Sequence, residues 1–408
     1  MLKKYLAQCF FVKLNFRDIM INIKSSKEFI MANNCKYSTR CGGCINLDKP
    51  IEIQLEEKTQ EIKALFSDLD DVKVNSCTGA YYPYKYRNKV HLAFGELKGK
   101  TLIGFFEEGS TKITDINDCI LFGDWLKNLV SILREYVSRF KIRPYNRDGQ
   151  GIIRYAHARC IDNKIQLTLV VVTDNFSGRD WLYNKLCQSF SEVSLYLNIN
   201  RRTDRAVFDK QFKFIKGTKY LTFDCCGVKV SISPSSFLQV NLPIAEKMYK
   251  SAIKMLDISP NTTVVDLYSG IGITSIMFAK VAKQVLSIEE VPSAVENAKY
   301  MAKLNSVKNI VPLCGKCEKE INNITTNGDV VVFVDPARAG LEKTVIDAIL
   351  HLNPRKVVYM SCNPDTCHRD IKMLVGDNMY HVNNINSYDM FPFTRHVELL
   401  VELSRNNK

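Results

Sequence analysis

The chain of 408 residues contains no apolar run approaching the ~18 residues that a membrane-spanning helix requires. Its opening stretch, MLKKYLAQCFFVKLNFRDIMINIKSSKEFI, lacks the unbroken apolar core of a secretory signal, because Lys13 and Arg17 interrupt it. Internal repeats and low-complexity tracts are also absent. These absences set aside membrane, secreted and repeat-array proteins and leave a cytoplasmic protein, expected to be a monomer. Residues 1–34 are expected to form a loosely packed extension, with Met31 as an alternative start.

What is present is ordinary for a globular protein: 46% hydrophobic and 24% charged residues, in a length that suits two or three domains. Lysine and arginine (56) exceed aspartate and glutamate (43), leaving +13 and a pI near 9.0. That balance favours a polyanionic partner, nucleic acid before an anionic membrane. Fourteen cysteines without a secretory signal suggest reduced thiols, metal ligands or catalysis rather than a disulfide framework.

The texture of the chain changes along its length. Residues 35–76 hold a cysteine-rich loop and then IEIQLEEKTQEIKALF, whose Ile51, Leu55, Ile62 and Leu65 have helical spacing. Residues 77–236 read as a β-rich domain, with short runs such as YRNKVHLAF, TLIGFF and KIQLTLVVVT and one helix near 125–140. From 237 to 408 strands and helices alternate, the pattern of a doubly wound, Rossmann-like α/β sheet. In YYPYKYRNKVH, alternation predicts Lys85, Arg87 and Lys89 on one strand face, open to phosphate or to water. It places Tyr82, Tyr84 and Tyr86 in the core behind them. Arg201, Arg202 and Arg205 form a second basic group.

The first strand-to-helix turn of the α/β half is DLYSGIGITS, residues 266–275. Gly270 and Gly272 permit a tight turn and close backbone approach to a ligand at a helix N-terminus. Glu289 ends the next strand nineteen residues after Gly270, where an acid meets ribose hydroxyls in such sheets. A dinucleotide fingerprint would have a third glycine at position 275, and this chain has Ser275. A nucleoside cofactor without a pyrophosphate, S-adenosylmethionine rather than NAD, fits that pocket. Asp335, in VVFVDPARAGL, and Cys362, in VVYMSCNP, close further strands on the same carboxyl edge. A thiol at the mouth of a cofactor cleft reads as a nucleophile more readily than as packing.

Cys35, Cys41 and Cys44 form a C-x5-C-x2-C run with Gly42-Gly43 inside it, and Cys119 is a candidate fourth ligand. Four thiolates suit an iron–sulfur cluster or structural zinc. Cys314 and Cys317 read as incidental. Together with SPSSFLQVN (233–241), DLYSGIG, DPARAGL, SCNP and FPFTRHVELL (391–400), the cysteines resemble the RNA 5-methyluridine methyltransferases. The resemblance is specifically to the 23S ribosomal RNA branch that carries an iron–sulfur cluster, and it runs from about Cys35 to Leu403. The resemblance implies S-adenosylmethionine as cofactor, a [4Fe–4S] centre on Cys35, Cys41, Cys44 and Cys119, and RNA as partner. It implies Cys362 as nucleophile and Glu398 as general base, with Gln239, Tyr268, Gly270, Glu289 and Asp335 lining the cofactor and uracil pocket. The residues before Cys35 are too few for the RNA-binding barrel that many ribosomal relatives carry.

Overall fold

A computed structural model describes residues 35–406, apart from positions 81, 147, 203, 205, 327 and 377. The expected N-terminal extension and Arg205 therefore lie outside the described residues. The chain begins with a one-turn helix, α1 (Ser38–Cys41), which Gly42 ends in a left-handed conformation at φ 63°. Helix α2 (Ile51–Leu65) follows Pro50, whose missing N–H suits a helix start. Its buried side is unusually polar, holding Gln54, Lys58 and Thr59 besides Ile62. The two-residue strand β1 (Lys73–Val74) comes next.

The central region is β2 (Lys89–Leu97), β3 (Lys100–Phe106), β4 (Ile113–Asp115), α3 (Asp124–Arg139), β5 (Ile153–Ile161), β6 (Lys164–Val171), α4 (Arg179–Cys187), β7 (Glu192–Ile199) and β8 (Phe212–Gly217). Its strands form one sheet in the order β4-β3-β2-β5-β6-β7-β8, antiparallel except where α4 carries the chain from β6 to a parallel β7. Alternation along the strands decides what each face meets. Leu92, Ala156, Ala158, Leu167 and Leu195 turn toward Leu129, Leu133 and Tyr136 of α3 and Leu182 of α4, in one apolar core. The opposite face carries Lys89, His91, His157, Arg159, Gln166 and Thr168 and looks toward the second half of the molecule.

The second half contains β9 (Leu221–Cys225), β10 (Val228–Ile232), α5 (Leu242–Leu256), β11 (Thr263–Leu267), α6 (Ile273–Ala279), β12 (Gln284–Glu289), α7 (Pro292–Leu304), β13 (Ile310–Cys314), α8 (Cys317–Glu320), β14 (Val330–Val334), α9 (Lys343–Leu352), β15 (Lys356–Ser361), α10 (Pro364–Val375), β16 (Tyr380–Tyr388) and β17 (Glu398–Arg405). Its sheet runs β1-β16-β17-β15-β14-β11-β12-β13, with β17 alone antiparallel to its neighbours. Helices cover both faces, α5 and α6 on one side and α2, α9 and α10 on the other, as near-continuous apolar strands require. The structure moves two boundaries. The β9–β10 hairpin packs into the α/β core beside α5, not with the central sheet. Residues 51–74 also join this half, because β1 extends its sheet beside β16 and α2 lies on its face.

Candidate active site

Strand direction gathers the site. Strands β11, β12, β14 and β15 are parallel, so the residues following them share one edge: Tyr268 to Gly272, Glu289, Asp335 and Cys362. Strand β17 runs the other way, so its first residue, Glu398, falls on that same edge. Ser361 pairs with Leu399, and one step further along the antiparallel register sets Cys362 across from Glu398.

The turn after β11 is held from behind. The Glu289 carboxylate accepts from the Gly270 N–H at 2.9 Å and from the Val291 N–H at 2.8 Å. Tyr268 sits at φ 60°, a left-handed conformation uncommon for a bulky residue and often found at binding sites. Gln239, Tyr268, Gly270 and Asp335 line one narrow pocket with Phe237 and Tyr249. Its volume is about 60 Å³, and Phe237 at its rim is 65% exposed. The Gln239 carbonyl accepts from Asn88 at 3.0 Å, which fastens the SPSSFLQVN loop to the central sheet. Ser275, where a dinucleotide fold would have glycine, donates to buried Asp266, as Thr274 does at 3.0 Å. Burial lifts Asp266 to about 7 despite these donors. The aromatic Tyr268, the Gln239 amide and the carboxylates of Glu289 and Asp335 suit a nucleoside and an amino-acid ammonium.

Cys362 is half-buried in a second cavity of about 590 Å³, lined also by Arg338, Asn363, Arg395 and His396 and by Ile62 and Leu65 of α2. Burial raises its thiol pKa, the negative charges of Glu398 and Asp335 raise it further, and Arg338 pulls it down. Glu398 is 3% exposed, and burial together with Asp335 pushes it up to about 8. Asp335 rises to about 7 through burial and the charge of Asp266. Two carboxyl groups and a thiol thus face one another with one guanidinium as counter-charge.

Arg338 carried no role in the sequence reading; an arginine two residues after Asp-Pro at a strand end was the available signal. Its carbonyl accepts from Asn363 and Thr366, and its guanidinium lies 3.4 Å from His396. A second missed feature is the pair Lys58–Asp389, 2.6 Å apart and almost fully buried. Met390 accepts from Asn241, and the Phe393 N–H donates to Gln54. The segment leading into Glu398 is therefore tied to α2 and α5. No sequence signal joins residues 331 positions apart.

Cys35, Cys41, Cys44 and Cys119 line one cavity of about 340 Å³ with Gly42 and Gly43. Burial drives Cys44 and Cys119 up to about 12, and the other thiols of the set push in the same direction. Among the described residues, the set whose ligand atoms lie within 4.8 Å of one another is Cys225, Cys226 and Glu246 instead. Thiolates on one zinc ion at about 2.3 Å stand roughly 3.8 Å apart. The four-cysteine cavity is wider than a single ion needs, and its donor set fits a multi-metal cluster.

The tyrosine and lysine alternation of residues 82–89 fails. Lys85 takes a left-handed conformation at φ 53° and β2 begins only at Lys89, so the run is a turn without a two-residue period. Tyr86 is core and Tyr84 half-buried, while Tyr82 is 54% exposed. Arg87 faces the cysteine cavity instead of sharing a strand face with Lys89.

A family model described as tRNA (uracil-5-)-methyltransferase matches residues 51–406. An uncharacterised RNA methyltransferase of Clostridium acetobutylicum is 32% identical over 385 residues, covering 92% of this chain and 84% of that protein. One from Caldanaerobacter subterraneus is 34% identical over 379 residues, covering 91% and 84%. Among solved structures, the Pyrococcus abyssi tRNA (uracil-54, C5)-methyltransferase in complex with S-adenosyl-L-homocysteine superposes with a TM-score of 0.73. It is 26% identical and covers 88% of this chain and 85% of its own. No described helix is long and apolar enough to cross a membrane. Both halves of the fold and every strand that ends at the cleft fall within the match, and the chain belongs to the S-adenosylmethionine-dependent RNA uracil-5-methyltransferases.

Proposed function

We propose that the chain methylates uracil C5 through a covalent adduct at Cys362. The register that sets Cys362 across from Glu398 carries the reading. Uracil C5 is a poor nucleophile. Addition of the Cys362 thiolate to C6 forms an S–C6 bond and moves the C5–C6 π electrons toward C5. S-adenosylmethionine, when bound, supplies the electrophilic methyl group that C5 takes. Glu398, as carboxylate, then accepts the C5 proton. The electrons of that C–H bond rebuild the C5–C6 double bond as the C6–S bond breaks and the thiolate leaves. Arg338 favours the thiolate at both ends of the sequence. Gln239, Tyr268, Gly270, Glu289 and Asp335 are assigned to the cofactor and the uracil edge. The target base leaves its stack to reach Cys362.

The substrate we propose is 23S ribosomal RNA, with a [4Fe–4S] centre on Cys35, Cys41, Cys44 and Cys119 that orders the N-terminal loop against the β-rich domain. The common cavity of these thiols supports that assignment. Transfer RNA is the second reading, favoured by the likeness to the Pyrococcus abyssi enzyme. Mass mapping of 5-methyluridine in both RNAs from a deletion strain separates them: a site lost from 23S RNA supports the first reading, and one lost only from transfer RNA rejects it. The mechanism is tested with 5-fluorouridine RNA, which has no C5 proton to lose. Wild type should be trapped as an adduct, and Cys362→Ala should fold but neither trap nor transfer. Full turnover by Cys362→Ala would end the mechanism.

A further inference from the structure

A third cavity, of about 800 Å³, lies on the polar face of the central sheet, where neither catalytic nor cofactor residues reach. Phe94, Phe106, Tyr145 and Tyr155 supply its aromatic surface and Arg143 and Arg154 its charge, with Glu96 as a lining acid and Arg202 paired with Asp204. Phe106 is a large ring left 45% exposed at the end of β3, edge-on to Tyr155 with centroids 6.5 Å apart. The Arg154 guanidinium lies 5.5 Å from the Tyr145 ring and 5.8 Å from the Tyr155 ring. Hydrogen bonds to the Asn200 side chain and to the Asn200 and Arg202 carbonyls fix it there.

The wall is built rather than accidental. Gly151 has φ 92°, and a Cβ there would stand 2.0 Å from the Pro144 carbonyl oxygen. Only glycine lets the segment carrying Arg143 and Tyr145 close against β5, where Ile152 N–H donates to Arg143 at 2.8 Å and Tyr145 N–H to Ile153 at 2.8 Å. The face that carries the groove continues, as buried side chains, to the cofactor loop. Tyr155, His157 and Arg159 share one face of β5, spanning about 13 Å at ~3.3 Å per residue. Arg159 donates to the carbonyls of Ser233 and Ser236, in the loop whose Phe237 and Gln239 line the cofactor pocket. Along that face burial and the neighbouring cations Lys89 and Arg159 hold His91 and His157 well below the usual imidazole range, so the charge rests on Lys89 and Arg159.

We propose that this groove receives one unpaired base of the RNA substrate outside the catalytic cleft, a reading that rests on the proposed function. The base stacks on Phe106, and its phosphate lies against Arg143, which has no ion-pair partner among the described residues. Every base has a π face, so such a subsite holds the strand and sets which unfolded RNA segment can reach Cys362. An acidic peptide would use the arginines but leave the Phe106 face in water.

The test measures binding of a fluorescein-labelled oligouridylate, of about twelve nucleotides, to the full chain with S-adenosylhomocysteine present. Phe106→Ala should weaken binding roughly tenfold or more, and Phe106→Trp should restore it. Arg143→Ala should lower the slope of log affinity against log salt by about one. Melting temperature and S-adenosylhomocysteine affinity should stay unchanged in all three. Binding by Phe106→Ala within about twofold of wild type overturns the subsite. So does equal loss of S-adenosylhomocysteine affinity, which makes Phe106 part of the scaffold, and so does absence of oligonucleotide binding by wild type. Covalent trapping of the 5-fluorouridine oligonucleotide scores Cys362 separately. Trapping with binding indifferent to Phe106 rejects the groove alone, and Phe106-dependent binding without trapping keeps the groove and rejects the nucleophile.

Discussion

Replacing Glu398 by glutamine should stabilise the protein at alkaline pH while stopping the reaction after methyl transfer. Glu398 is a buried carboxyl whose pKa rises from 4.5 to about 8, first because burial penalises its charged form and then because Asp335 is near. A folded-state pKa above the unfolded value means the native protein holds a proton that the unfolded chain releases between those two pH values. Stability therefore falls as pH rises through that window, with no cost below about 4.5 and the full cost above about 8. At 1.36 kcal/mol per tenfold, the interval corresponds to at most about 5 kcal/mol. Asp335 shares the same field, so about 2 kcal/mol is a fair working figure for Glu398 alone. For a chain of 408 residues that raises the melting temperature of Glu398→Gln over wild type by roughly 2–3 °C at pH 9. At pH 5 the two proteins should melt together. Glutamine keeps the shape but cannot take the C5 proton, so the variant should accumulate protein–RNA adduct on ordinary substrate, read as a shifted band on a denaturing gel. A variant less stable than wild type at pH 9 would refute the burial argument. Wild-type turnover would assign the base elsewhere, and simple loss of RNA binding would make Glu398 a positioning residue.

Anaerobically purified protein should contain about four irons per chain and absorb broadly in the visible, and Cys119→Ser should lose both; stoichiometric zinc without iron would reject the cluster. Lys58→Met leaves Asp389 buried and unpaired, and should cost roughly 3–5 kcal/mol in urea unfolding. Adding Asp389→Asn should recover part of that, and a single-variant loss under about 1 kcal/mol would show the pair to be dispensable.

The chain's local grammar made much of this molecule legible in advance. Continuous apolar runs such as VVVFV and VVYM can sit only in strands covered on both sides, so TVVDL, QVLSIE and their successors marked the α/β half and its carboxyl edge. Gly270 and Gly272 sit in the turn they announced, at φ 54° and 81°. Alternation misled where the backbone stopped being a strand. Period two describes residues only while they stay extended, and Lys85, turned left-handed, breaks the count before Arg87 and Lys89.

By itself the sequence determined most strands and helices of the α/β half, which residues end at the cleft edge, and that Cys362 lies among them. Those properties depend on side chains within a few positions of one another. Only the tertiary structure decided that β17 enters antiparallel and delivers Glu398 to Cys362, that helix α2 reaches from the N-terminal region to Asp389, and that the β9–β10 hairpin belongs to the α/β core. It alone raised Glu398 to about 8 and placed Arg338 among the acids. Burial and charge proximity are sums over residues far apart in the chain, and no local pattern carries them until the strands have paired.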